Sequence, residues 1–271
     1  MIIDSHTHID NRSSLGIGIE ERNPAEFDDF KQCIEEKKLV VLANAACPAE
    51  FDELSKIGGI FTSFGIHPWS THEFCHYSDE SNSADYKQIQ GHIQREVNAM
   101  EAYYKKAHAV GEIGMDSVWC TCDLTLQREL FMQQLNLAEK LGKPVILHTK
   151  GQEREIGEIL RHYSVKKLVH WYSCEQYLEN FIVQDCYFTV GPNYTINNAV
   201  KNIISSVPLG RILVETDGIS AVEWAVGRKT KAADIPAMLR GAIEAIAGSK
   251  NISADFAEKS IEENFYRFLE I

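Results

Sequence analysis

The chain has 271 residues, 44% of them apolar and 24% charged, which is the composition of a soluble globular protein and excludes a disordered chain. No run of 18 or more apolar residues occurs, so no transmembrane helix is expected. The 27 Lys and Arg against 39 Asp and Glu give a net charge of −12, which excludes loose, charge-driven binding of nucleic acid but not a nuclease that carries bound cations.

In chain order, short apolar runs alternate with amphipathic segments, the pattern of βα units around a parallel sheet. The first run, Ile2 to His8, ends in His6 and His8. Alternate side chains of a strand share a face, so this pair has a chelating geometry. A Gly-bearing loop (residues 15–18) precedes a helix opened by Pro24, with Phe27, Phe30, Cys33 and Ile34 at helical spacing. Leu39 to Asn44 reads as the second strand. A short helix runs from Pro48 to Leu54, and Ile60 to Ile66 is the third strand, leading into His67-Pro68-Trp69.

Residues 70 to 86 are polar and aperiodic, a long loop of the kind that carries function or lacks order. A helix from Tyr86 to Lys106 leads to the fourth strand, Ala107 to Ile113, and a further helix covers Leu124 to Leu141 before Gly142 stops it. The fifth strand is Pro144 to His148, the sixth Lys167 to His170, the seventh Cys186 to Val190 and the eighth Arg211 to Asp217. Helices are expected around Glu155 to Leu160, from Glu175 to Val183, from Ile196 to Ser205, and finally from Ile235 to Ala247 and Ala254 to Leu269. Eight strands in a chain of this length predict one (β/α)8 TIM barrel, slightly distorted and with extra C-terminal helices, as a single domain over residues 1–271. An open doubly wound sheet would need a Gly-rich phosphate turn after its first strand, and none is present.

Barrel enzymes carry their active sites at the C-terminal ends of the strands. Those ends offer His6 and His8 on the first strand, His67 after the third, Glu112 on the fourth, His148 on the fifth, His170 on the sixth and Asp217 on the eighth. The chain holds only 10 His and 39 acids, so their concentration at these points is not a chance pattern. A single catalytic zinc commonly takes three protein ligands and water. Four histidines and two carboxylates suit two metals sharing one carboxylate. Such a pair activates water and clamps the attacking and leaving oxygens of a phosphoester displacement, or polarises an amide or lactone carbonyl. Imidazole and carboxylate donors admit Zn, Mn, Fe and, less comfortably, Mg.

The chain resembles the TatD-type metal-dependent deoxyribonucleases of the amidohydrolase-like superfamily. The resemblance rests on Asp4-Ser5-His6-Thr7-His8, Gly65-Ile66-His67-Pro68, Gly111-Glu112-Ile113-Gly114-Met115-Asp116, Gln127-Arg128-Glu129-Leu130-Phe131, the run Leu141 to His148, Val169-His170, Glu215-Thr216-Asp217 and Asn264 to Phe268. It implies a barrel with two divalent ions. His6, His8 and Asp217 hold one and His148 and His170 the other, Glu112 bridges them, Asp217 orients the water and takes its proton, and His67 contacts the substrate phosphate. Catalytic roles thus fall on Asp217 and Glu112, and the implied substrate is DNA or another phosphodiester.

This chain departs from the family's usual pattern around those ligands. Trp171-Tyr172 follow His170 where Cys-Phe is usual, Gly218-Ile219-Ser220 replace Ala-Pro after Asp217, and Thr149-Lys150-Gly151 replace Arg-Asp-Ala after His148. Ser117-Val118-Trp119 stand where other aromatic residues are familiar. Two other functions compete with the nuclease: hydrolysis of a C–N or lactone C–O bond in a small molecule, and a catalytically silent barrel used as a binding protein. Glu112, where amidohydrolases usually carry a bridging lysine, favours the nuclease; the complete ligand set argues against the silent barrel.

The remaining candidates read as structural. Seven scattered cysteines without an export signal predict reduced thiols in a cytoplasmic, monomeric protein, and Cys120-Thr121-Cys122 reads as loop. His72 and His76 read as solvated loop, His92, His108 and His162 as surface or satisfied histidines, and Asp116 as an acid that backs a ligand or fixes its loop rather than binding metal itself.

Overall fold

The computed structural model describes residues 2–9, 24–36, 39–71 and 83–271. Eight parallel strands pair in sequential order: β1 (Ile3–Thr7), β2 (Val40–Ala45), β3 (Phe61–Phe64), β4 (Ala109–Gly114), β5 (Val145–His148), β6 (Lys167–Val169), β7 (Tyr187–Val190) and β8 (Ile212–Val214). Nearly every residue of these strands is buried, as expected where helices cover one face of a parallel sheet and packed side chains fill the other. Between β8 and β1 the barrel closes without a full ladder. The Asp217 amide donates to the His6 carbonyl at 3.1 Å, and the Asp4 carboxylate accepts from the Thr216 amide at 2.9 Å and from its hydroxyl. A seam stitched by side chains is the slight distortion expected of this (β/α)8 TIM barrel.

The outer layer follows the strand order, with α1 (Pro24–Glu35), α2 (Pro48–Leu54), α3 (Ser83–Ala99) and α4 (Glu101–Lys106), then α5 (Leu124–Leu141), α6 (Glu153–Ile159), α7 (Leu178–Ile182) and α8 (Asn198–Ser206). Three more helices, α9 (Ile219–Val226), α10 (Ile235–Lys250) and α11 (Ala254–Leu269), follow β8. Local chemistry sets the clear boundaries. Asp123 caps α5 by accepting from the Thr125 amide at 2.6 Å, and Gly142 ends it at φ +63°, a left-handed position that glycine occupies at little cost. Ser253 caps α11 by accepting from the Phe256 amide, and that helix buries Ala257, Ile261, Phe265, Phe268 and Leu269 at helical spacing. Among the described residues, no helix is long and apolar enough to cross a membrane.

Four expectations shift. The helix predicted from Tyr86 to Lys106 begins at Ser83 and is broken at Met100 into α3 and α4. The one predicted from Glu175 starts only at Leu178, because Tyr177 sits at φ +65° and the Tyr172 hydroxyl takes the Gln176 carbonyl. Helix α9 lies in a stretch to which the sequence assigned no element; only Ile219 and Val222 of its eight residues are buried, too sparse a stripe to show as periodicity. The eighth strand stops at Val214 rather than Asp217, since Asp217 itself adopts φ +61°. His72, His76 and Cys75, most of the loop predicted at 70–86 and the glycine loop at 15–18 fall outside the described residues. None of the six described cysteines is in a disulfide.

Gly114, at the end of β4, shows how tightly strand ends are packed where the candidate site lies. At φ +153° its backbone runs so close to β5 that a Cβ would stand 1.9 Å from the His148 carbonyl oxygen. Gly114→Ala is therefore expected to cost at least about 3 kcal/mol of stability, read as a lower denaturation midpoint in a urea titration. An unchanged midpoint would show that β4 and β5 can part there without loss.

Candidate metal centre

Strand ends bring the five predicted histidines around the carboxylate of the sixth residue, Glu112, with Asp217 alongside. Glu112, 2% exposed on β4, divides its two oxygens. Oε2 faces the histidines of β1, 3.6 Å from His6 Nε2 and 3.5 Å from His8 Nε2. Oε1 faces the other three, 2.5 Å from His170 Nε2, 2.8 Å from His148 Nδ1 and 3.4 Å from His67 Nε2. On the far side of the β1 pair, Asp217 Oδ1 lies 3.3 Å from His6 Nε2 and 3.6 Å from His8 Nε2. A left-handed backbone is tolerated by Asp better than by most residues, and here it places the carboxylate over the open end of β1.

Spacing and protonation fit a cation. Four donors arranged tetrahedrally about 2.1 Å from an ion lie about 3.4 Å from one another, and the His6, His8, Glu112 and Asp217 donor atoms are 3.3 to 3.6 Å apart across the pairs above. His6 Nε2 is buried and makes no hydrogen bond, a costly state for a polar atom unless something else fills its coordination. Imidazole nitrogens facing a carboxylate at 2.5 to 2.8 Å require a proton or a cation between the lone pairs. Three groups can each gather donors around an ion: His6 with His8 and Glu112, His6 with His170 and Asp217, and His67 with Glu112 and His148.

Burial disfavours the charged form of His6 and His170 opposes it further, yet the facing carboxylates of Asp217 and Glu112 outweigh both and push its pKa up to about 9. Burial works against a charge on His8, His148 and His170 as well, and carboxylates again raise all three. A metal must displace these protons. Metal affinity should then rise by at least about tenfold per pH unit from about pH 6 up to about pH 9, because acid fills the same lone pairs that bind the ion. Calorimetric metal titrations across that range check the sign; an affinity independent of pH would contradict it.

His67 differs from the others. It is 3% exposed, and burial pushes its pKa down to about 4, so it is neutral. Its Nδ1 accepts from the Trp69 amide at 3.2 Å, which leaves the proton on Nε2 and makes that atom a donor aimed into the site.

Asp116 supports the site as expected, whereas Glu215, Gln127 and Gln134 were given no such part from sequence. Asp116 accepts from Trp69 Nε1 at 2.7 Å and from the Val118 and Trp119 amides at 2.7 and 2.8 Å, and its Oδ2 stands 2.9 Å from His148 Nε2. It both fixes its loop, as expected, and sets the tautomer of His148. Glu215 is 1% exposed with both oxygens free of hydrogen bonds, Oε2 lying 3.7 Å from His170 Nδ1. Two buried glutamines of α5 clamp the turns that carry the site. Gln134 accepts from the Ile66 amide and donates to its carbonyl at 2.7 and 2.9 Å, while Gln127 does the same for Asp116 at 2.8 and 3.0 Å. A polar residue on the apolar stripe of a helix was the available signal for both. Outside the site, His108 Nδ1 accepts from the Thr62 amide at 3.1 Å, a satisfied histidine as read. The Cys120 thiolate is disfavoured by burial, and the Cys122 amide lies against its sulfur.

A parallel barrel that gathers imidazoles and carboxylates in this way at its C-terminal rim is the architecture of a metal-dependent hydrolase. The family model described as TatD related DNase matches residues 3–270, and the chain belongs to that family. It is 29% identical over 177 residues to the 3'-5' RNA nuclease TATDN2 of Homo sapiens, an alignment covering 62% of this chain and 21% of that protein. The chain is 24% identical over 281 residues to YcfH of Escherichia coli (strain K12), an uncharacterized metal-dependent hydrolase, covering 100% of this chain and 96% of the relative. Among solved structures it is similar to YjjV, a TatD homolog from Escherichia coli K12, with a TM-score of 0.72, 21% identity and coverage of 100% and 98% of the two chains. At that identity the likeness concerns the fold.

Proposed function

We propose that the chain is a phosphodiesterase acting on DNA through two divalent cations that share Glu112. The observation that carries this reading is the division of the Glu112 oxygens, Oε2 toward His6 and His8 and Oε1 toward His148 and His170. One ion falls to His6, His8 and Asp217, the other to His148 and His170. When bound, such a pair lowers the pKa of water and neutralises charge on the phosphate oxygens.

The chain's own residues supply the rest. Asp217, ionised because its histidine neighbours outweigh burial, orients the attacking water and takes its proton. His67 presents a neutral N–H to a phosphate oxygen, since its other nitrogen is already occupied by the Trp69 amide. The full donor set comes from one chain, so a monomer suffices, and the absence of disulfides among the described cysteines fits a cytoplasmic setting.

Metal analysis combined with hydrolysis of a single-stranded DNA oligomer, an RNA oligomer and a simple phosphodiester, with and without chelator, tests the reading. DNA and the simple diester should be cut, activity should vanish with chelator, and added Zn or Mn should restore it. Chelator-insensitive cutting would overturn it, as would turnover of lactones or amides with diesters left intact.

A further inference from the structure

The four tryptophans of the chain form one array. Trp69 and Trp119 have ring centroids 6.3 Å apart, Trp119 and Trp224 6.1 Å, and Trp224 and Trp171 6.1 Å, at interplanar angles of 67 to 82°. These rings come from four separate loops and helices and share no sequence signal. The inner end touches the metal centre, with Trp69 5.0 Å from the His67 ring and 6.2 Å from that of His148. The two middle rings are open to solvent, Trp119 being 49% and Trp224 68% exposed.

The two end rings are held in place. Trp69 donates its indole N–H to Asp116 at 2.7 Å, and Trp171 donates its own to Asn193 at 3.0 Å. Trp171 also sits at φ +34°, an unfavourable backbone for a bulky residue, and its amide is fixed by the Thr189 hydroxyl at 2.9 Å. Gly191 makes room for the indole, since a Cβ there would come within 3.1 to 3.2 Å of it. Lys150 places its ammonium 4.4 Å from the Trp119 ring centroid while donating to Ser173 at 2.8 Å.

The array runs from the exposed Trp224 and Trp119 through Trp69 to the His67 and His148 rings, and this continuity with the metal centre points to the substrate, rather than a docking protein, as its occupant. Resting on the phosphodiesterase reading above, we propose that Trp69, Trp119, Trp171 and Trp224 form a stacking platform for unpaired nucleobases flanking the scissile phosphate, with Lys150 beside the backbone. A chain of net charge −12 gains little from long-range attraction to a polyanion. Base-to-indole stacking does not depend on that attraction and contributes on the order of 1–3 kcal/mol per base. Bases inside a duplex already have both faces covered, so the platform selects single-stranded nucleic acid, whether DNA or RNA.

Intrinsic tryptophan emission reads this platform alone, because the chain has no tryptophan elsewhere. The test titrates the full-length, metal-loaded protein with a cleavage-resistant phosphorothioate oligothymidine and with an abasic oligomer of the same backbone. Oligothymidine should quench the emission and bind at least about fivefold more tightly than the abasic strand. Trp119→Ala and Trp224→Ala should each weaken it by roughly tenfold, and Trp224→Phe should retain most of the affinity. Equal affinity for the two strands, or wild-type affinity in both alanine variants, overturns the platform. Hydrolysis of the same strands with ordinary phosphate linkages separates the two readings. Cutting without any preference for bases leaves the phosphodiesterase and removes the platform; base-dependent binding without cutting leaves the platform and removes the phosphodiesterase.

Discussion

Asp217→Asn should lower phosphodiester turnover by roughly 10³-fold, within the range that a positioned general base contributes, while most of the bound metal stays. The amide keeps the size of the carboxylate and an oxygen that can face His6 and His8, so the group of donors at β1 is only weakened. What it loses is the capacity to take a proton. In the unsubstituted chain burial opposes ionisation of Asp217, yet His6 and the other nearby imidazoles hold its pKa below the ordinary value, so the base is ionised throughout the neutral range. Steady-state kinetics at saturating metal, with elemental analysis of the same sample, checks the split. Equal activity in the variant would remove Asp217 from the proton transfer.

Glu112→Gln should do more. Its carboxylate lies within 3.6 Å of histidines on both the His6 and His8 side and the His148 and His170 side, and histidines on both sides keep it ionised against burial. Replacing it by a neutral amide leaves imidazoles crowded around an uncharged group that offers one acceptor instead of two. Metal content should fall from two ions per chain to one or none. Affinity for the second ion should drop by more than the roughly 100-fold that loss of an outer partner costs, and turnover should fall below that of Asp217→Asn. A variant that still holds two ions would show that Glu112 is not shared between them.

The barrel was legible in the sequence because its strands are buried on both faces and so several of them appear as largely apolar runs. Val41, Leu42 and Val145 to Leu147 are examples. Ligands were legible for a related reason, since a histidine ending an apolar run has no business in a core. Asp217, however, was read as part of a strand that stops three residues earlier, because a left-handed residue leaves no mark in hydrophobic pattern. Positions that act through long-range contacts were not visible at all. Gln134 and Ile66 are 68 residues apart, and the tryptophans converge only once β3, β4, β6 and α9 are in place. Helix α9, with two buried residues, carries Trp224 into that cluster, and three of the residues that depart from the family's pattern, Trp119, Lys150 and Trp171, belong to it. The ligands follow the family, and their surroundings are this chain's own.

Counting metal is the most direct test of the central claim that Glu112 joins two cation sites into one hydrolytic centre. Elemental analysis of the full-length protein during stepwise chelation, with phosphodiester hydrolysis followed on the same samples, should find two divalent ions per chain, activity falling as they leave and returning as they are restored. Hydrolysis that persists in fully metal-free protein, or full activity with a single ion, would contradict it.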